Sequence, residues 1–243
     1  IYLRLLCLYL VNTLVFMKKI QTTTINTFIM TKKVSLSESV IQKNEYKRKF
    51  NLWELYRSFV FSGRAIVKLI RNNKTKLVDN HFVERLQLAV TEVNGCAACS
   101  YQHTKMALKQ GMSNEEISSF LSGESDFIKP EEVKGILFAQ HFADSRGFPK
   151  KYAYDAIEEE YGKEKASIIL AASQVMIAGN MYGIPLSAFL SRLQGKPYKG
   201  STLFYELGML IFGTLCLPVG IIHGFLRGLI GLPNEKFDES PTE

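Results

Sequence analysis

Three reactive side chains fall close together in this chain: Cys96, Cys99 and His103. Cys99 follows Cys96 by three positions and His103 follows Cys99 by four, so a helix starting at Cys96 puts all three on one face. Two cysteines one helical turn apart can close a disulfide after modest adjustment. In a first turn, unpaired N–H groups and the positive end of the helix dipole favour a thiolate. His103 is placed to take the thiol proton or hold it nearby. The pattern suits thiol redox chemistry.

A carboxylate must come from elsewhere. Glu84 shares a helix face with Leu88 and Thr91, and a turn at Asn94-Gly95 would fold that helix back on the cysteine helix. Beside His103 it would orient the imidazole and complete a relay from acid to base to thiol. Glu92 is the rival, closer in sequence but near the frayed helix end. Either could be no more than a solvated surface glutamate; Glu84 is preferred. Two blander readings compete for the cysteines. A CxxC can be half of a zinc site, but only His103 stands nearby and structural zinc usually needs four ligands. Free cysteines are also often plain core residues.

The elements that must position these groups are helical. From Leu52 to about Leu193 no stretch alternates polar and apolar residues as a strand would. Trp53, Phe59 and Phe61 read as a first helix covering the core. Asp79 precedes Val83, Leu86, Ala89, Val90 and Val93, an apolar stripe closed by Asn94-Gly95. The cysteine helix ends near Gly111, with Tyr101 and Met106 packing. Ser113-Asn114-Glu115-Glu116 is a capping box for a short helix ending at Ser122-Gly123. Pro130 with Glu131-Glu132 opens the next, which ends near Arg146-Gly147. Pro149 begins another, to about Tyr161-Gly162. The last runs from Lys163 to about Met181, where Gly183 and Pro185 are expected to end it. Asn180 either lines the active-site floor or helps terminate the helix, and the terminating role is preferred. His81 and His141 read as surface or satisfied histidines.

The stretch Glu84 to His103 resembles the carboxymuconolactone decarboxylase superfamily, specifically its alkylhydroperoxidase D-like branch. Its pattern is a glutamate, eleven residues, CxxC, three residues and a histidine, met here by Glu84, Cys96, Cys99 and His103. The resemblance covers roughly residues 55–192. It implies an all-α, compact multi-helix bundle, usually oligomeric, with thiol-dependent peroxidase activity. By that analogy Cys99 is the peroxidatic thiol, activated through His103 and Glu84, and Cys96 resolves its sulfenic acid as a disulfide. A dithiol reductant or adaptor protein would restore the pair. No cofactor and no metal are implied. The better-studied peroxidases can carry a second histidine between the cysteines, where this chain has Ala98. A non-peroxidase dithiol oxidoreductase, a redox-switch module, and an enzyme acting on another substrate with structural cysteines are the alternatives.

Composition sets the bounds. With 47% hydrophobic and 22% charged residues the chain reads as globular. The net charge of +7 hints at nucleic acid, but its excess sits at the edges, in Lys18, Lys19, Lys32, Lys33, Lys43, Lys47, Arg48 and Lys49. The middle alternates signs, so nucleic acid is not an expected partner and a basic arm near an anionic membrane suits better. Four cysteines, at 7, 96, 99 and 216, are too few for a secreted disulfide framework, and a cytosolic site is expected. Cys216 reads as inert.

Three segments are expected: residues 1–50 as a flexible N-terminal extension, 51–195 as the helical domain, and 196–243 as an apolar helical extension with a polar tail. Residues 1–16 are almost wholly apolar, yet the charges follow the run, a poor fit to a secretory signal. Translation starting at Met17 or Met30 is the plainer reading. Leu207 to Leu226 carries no formal charge and meets the length of a membrane span. Pro218 and the glycines at 208, 213, 220 and 224 tell against one straight helix. An apolar hairpin docked on the core or a subunit partner, or membrane association through residues 202–232, is expected.

Overall fold

A computed structural model describes residues 45–240. The readings made for residues 1–44 lie outside the described residues. Within them there are seven α-helices and no strand. They are α1 (Leu52–Thr75), α2 (Asn80–Asn94), α3 (Ala97–Gln110), α4 (Asn114–Ser122), α5 (Val133–Asp144), α6 (Lys151–Leu193) and α7 (Leu203–Leu229). The all-α expectation holds.

The helix ends follow local chemistry. Asn51 and Glu54 form a reciprocal capping box on α1, and the Asp79 side chain accepts the N–H groups of His81 and Phe82 on α2. Gly95, Gly111 and Gly123 close α2, α3 and α4 in the left-handed conformation. Ser113 caps α4 through the Glu116 N–H, but the capping box is only half made, because the Glu116 carboxylate is taken by Arg85. Pro130–Glu132 form a 3-10 turn before α5 begins.

The largest departure is α6. It breaks at Gly162 (φ 75, ψ 157), as expected, but then continues through Gly183 and Pro185 to Leu193. The glycine that read as a helix end is a packing contact, and one proline costs a single ladder hydrogen bond that the surrounding packing outweighs. Beyond Gly162 this helix is the centre of the molecule, buried through Ile168, Ile169, Leu170 and Ala172 and touched by α1, α2, α3, α5 and α7. Asn180 lies well inside it, fully buried, and terminates nothing. Trp53 is 67% exposed, so the first helix covers the core through Leu55 and Phe59 instead. Met106 is exposed as well. His141 is satisfied, its Nε2 accepting the Lys150 N–H at 3.0 Å.

The apolar C-terminal extension is helical, as expected; it is one helix, α7, where a docked hairpin was one reading of it. Its glycines form the face that packs. A Cβ on Gly224 would fall 2.0 Å from the Val60 carbonyl oxygen, one on Gly220 2.7 Å from Phe59, and one on Gly213 2.7 Å from the Tyr182 ring. The helix backbone therefore rests directly on α1 and α6, which only residues without side chains allow. Glu206 anchors its first turn, accepting from Arg192 Nε at 2.7 Å and Nη2 at 2.9 Å. Residues 45–50, read as the end of a flexible arm, are packed: Phe50 is buried and the Tyr46 hydroxyl meets Ser201 at 2.6 Å.

Two internal acids hold this arrangement. Burial pushes the Glu206 carboxyl up, but hydrogen bonds from Arg192 and Ser201 more than offset it, leaving it below the ordinary 4.5. Burial likewise raises Glu54, and the bonds from Arg146 and the Asn51 N–H bring it below the ordinary value. Carboxyls lowered in the folded state contribute stability that is fully present above pH 4.5 and lost as pH falls through their folded values. Urea unfolding followed from neutral to acid pH should show that loss. In Glu206→Gln stability at pH 7 should fall by about 1–3 kcal/mol, and the acid slope should flatten.

Candidate active site

Glu84, Cys96, Cys99 and His103 arise from one helix–turn–helix. Gly95 (φ 69) turns the chain between α2 and α3, and a Cβ there would meet Lys47 at 2.4 Å. Cys96 is the N-cap of α3, one residue before the helix proper, and its Sγ accepts the Cys99 N–H at 3.3 Å. The two sulfurs are joined as a disulfide, with Cα atoms 5.2 Å apart. Cys96 is fully buried and Cys99 is 9% exposed, so Cys99 is the more accessible residue of the two.

The turn folds α2 back on α3 as the sequence suggests. His103 Nδ1 lies 2.7 Å from Glu84 Oε1, with the carboxylate buried and the imidazole nearly so. An ionised carboxylate can only accept, so Nδ1 carries the hydrogen and Nε2 is left as the basic nitrogen. His103 stands one helical turn beyond Cys99 on the same face. Glu92, the rival carboxylate, turns away and pairs with Lys47 Nζ at 2.5 Å.

The far wall is α6. The Cys99 sulfur lies 3.6 Å from the Gly179 carbonyl oxygen. Gly183 leaves the sulfurs their space: a Cβ there would come within 2.7 Å of both. Ser187, one turn on, accepts the Ala98 N–H at 3.0 Å and donates to the Gly183 carbonyl at 2.8 Å, tying the first turn of α3 to α6. Behind the turn, Asn94 Nδ2 donates to Asn180 Oδ1 at 3.1 Å and Asn180 Nδ2 to Thr91 Oγ1 at 3.3 Å. All three residues are fully buried. Asn180 is thus a clamp between α2 and α6 beside the sulfurs.

Gly179, Gly183 and Ser187 escaped the sequence reading. Their spacing of four was visible, but Gly183 beside Pro185 read as punctuation. Arg85 was missed too; buried, it bridges Glu116 at 2.6 Å and Glu132 at 2.9 Å and so fixes α2 against α4 and the 3-10 turn. Among the described residues no group of three His, Cys, Asp or Glu side chains could hold a metal ion.

The turn, both cysteines, His103 and Glu84 lie inside a segment that known proteins share. Residues 72–136 match the carboxymuconolactone decarboxylase family. The alkylhydroperoxidase D-like branch is part of that family, so the resemblance read from the motif holds. The chain is also 29% identical over 116 residues to the uncharacterized protein YdfG of Bacillus subtilis, covering 46% of this chain and 78% of that protein. No solved structure matches the chain. The carboxymuconolactone decarboxylase segment holds α2, α3 and α4, whereas Gly183, Ser187 and the whole of α7 lie outside it.

Two glycines on α6 give a controlled comparison. A Cβ on Gly179 meets nothing within 4 Å, while one on Gly183 meets both sulfurs. Gly179→Ala should be neutral or stabilise by up to about 1 kcal/mol through helix propensity. Gly183→Ala should destabilise the oxidised protein by about 1–3 kcal/mol. Urea unfolding under oxidising conditions checks both; equal stability of the two variants would contradict the close approach of α6 to the sulfurs.

Proposed function

We propose that this protein is a thiol-dependent peroxidase that reduces organic hydroperoxides through the Cys96–Cys99 pair. The observation that carries the reading is the 2.7 Å Glu84–His103 contact one helical turn from a cysteine pair at bonding distance. In the reduced protein His103 Nε2 takes the Cys99 thiol proton. The thiolate attacks the outer peroxide oxygen, the O–O bond breaks, and the departing alkoxide collects the proton as an alcohol. Cys99 is left as a sulfenic acid. Cys96 then attacks that sulfur, the disulfide forms and water leaves. A dithiol reductant or adaptor protein returns the pair to thiols by exchange, itself becoming a disulfide. Greater access at Cys99 than at Cys96 supports this division of roles. The protein acts as a homo-oligomer in this reading.

A second reading has one observation in its favour. Cys96 is wholly buried and Ala98 stands where related peroxidases can carry a histidine, features that also suit a disulfide used as a redox switch without turnover.

Turnover of cumene hydroperoxide with dihydrolipoamide separates them. The peroxidase reading expects multiple turnovers that vanish in Cys99→Ser and Cys96→Ser. His103→Gln should lower the rate by about 10²–10⁴-fold, and Glu84→Gln by a smaller factor. A wild-type protein that forms the disulfide under oxidant yet does not turn over would leave the switch.

A further inference from the structure

The outward side of α7 is apolar along its whole length. Ile211, Leu215, Val219, Ile222, Leu226 and Leu229 recur at spacings of three and four, and each is more than half exposed. This stripe runs for about 27 Å along the helix at 1.5 Å per residue. No formally charged residue interrupts the chain between Glu206 and Arg227, and Glu206 is itself buried against Arg192. A solvent-facing helix side normally carries polar residues, and an apolar patch of this extent marks an interaction surface.

Charge and aromatic placement identify the occupant. At the Gly228 end α7 meets Arg64 of α1. From there α1 runs on with Ile66, Val67 and Ile70 exposed, followed by Arg71, Lys74 and Lys76. Among the described residues no carboxylate forms an ion pair with those three cations. Further back along the α1–α7 seam stands Trp53, the lone tryptophan, with its ring 5.8 Å from Tyr56, whose hydroxyl meets His223 Nδ1 of α7 at 2.9 Å. An apolar stripe on a helix whose neighbour carries unpaired cations beyond one end and a Trp–Tyr pair along the seam is complementary to an anionic bilayer surface.

The packing also decides how the helix would lie. By length and composition α7 could cross a membrane. Its glycine face, however, is locked onto α1, which carries Arg57 and Arg64 along the part that α7 covers. An upright α7 would draw those charges into hydrocarbon, where charged side chains are costly. A helix lying flat buries only the stripe. We infer that α7 is a monotopic anchor that seats this protein on an anionic lipid surface, apolar stripe down.

The test uses the full chain and vesicles of phosphatidylcholine with phosphatidylglycerol at about one part in three. The protein should float with these vesicles, bind pure phosphatidylcholine on the order of tenfold more weakly, and show a blue shift of Trp53 fluorescence on binding. Ile211→Ser/Leu215→Ser/Ile222→Ser should weaken flotation by at least about a hundredfold while far-ultraviolet circular dichroism and thermal unfolding stay unchanged. Leu137→Ser removes an equally exposed leucine on α5 and should leave binding intact. The proposal is overturned if the wild type does not float, or if the triple variant floats as well as the wild type. It is equally overturned if the wild type does not bind vesicles and light scattering shows a dimer that the triple substitution dissociates. None of these readouts depends on peroxide turnover.

Discussion

A carboxylate withdrawn from water must keep its partner, and much of this molecule is arranged so that Glu84 keeps His103. Breaking one half of a buried pair leaves an uncompensated polar group, a loss of several kcal/mol. The two residues sit on different helices, so α2 and α3 cannot drift apart without incurring it. Gly95 makes the reversal between them, in a conformation and a space that no other residue would accept without strain. Arg85 holds the other side of α2 against α4 and the 3-10 turn. The Thr91–Asn180–Asn94 bonds then fix this pair of helices to α6.

Once α6 is fixed, the site is enclosed on the side opposite the histidine. The Gly183 backbone touches both sulfurs, and Ser187 binds an N–H in the first turn of the cysteine helix. The opposite side of the same helix lines a cleft with Glu54, Arg57 and Arg146, and Tyr182 leans on α7. One helix is therefore wall to the sulfurs, floor to a cleft and seat for the apolar C-terminal helix. Its central position explains why a proline within it is tolerated.

The motif and the helix ends were legible in the sequence because they rest on local rules. Asp79, Gly95, Gly111, Ser113 and Gly123 act within one turn of themselves, and the Glu84 to His103 spacing needs only one reversal of the chain. What could not be read locally was the meaning of a glycine. At Gly95 it turns the chain; at Gly183, Gly213, Gly220 and Gly224 it lets another part of the fold approach. Sequence alone does not separate these uses, which is why α6 was expected to stop early and the glycines of α7 read as telling against one straight helix. Asn180 was misread for the same reason: its partners, Thr91 and Asn94, are nearly ninety positions away.

The short span of the disulfide has a consequence for chain entropy. Cys96 and Cys99 are three positions apart, so the bond closes a very small loop. Loop-closure reasoning gives such a loop about 2 kcal/mol, against about 4.7 kcal/mol for a hundred-residue loop. The unfolded chain is thus little restricted by the bond, and most of the work of holding the helices falls on packing and on the Glu84, Arg85 and Asn180 contacts. Opening the bond therefore costs the folded chain far less than opening a long-loop disulfide would, and packing can carry the same scaffold through both halves of a redox cycle.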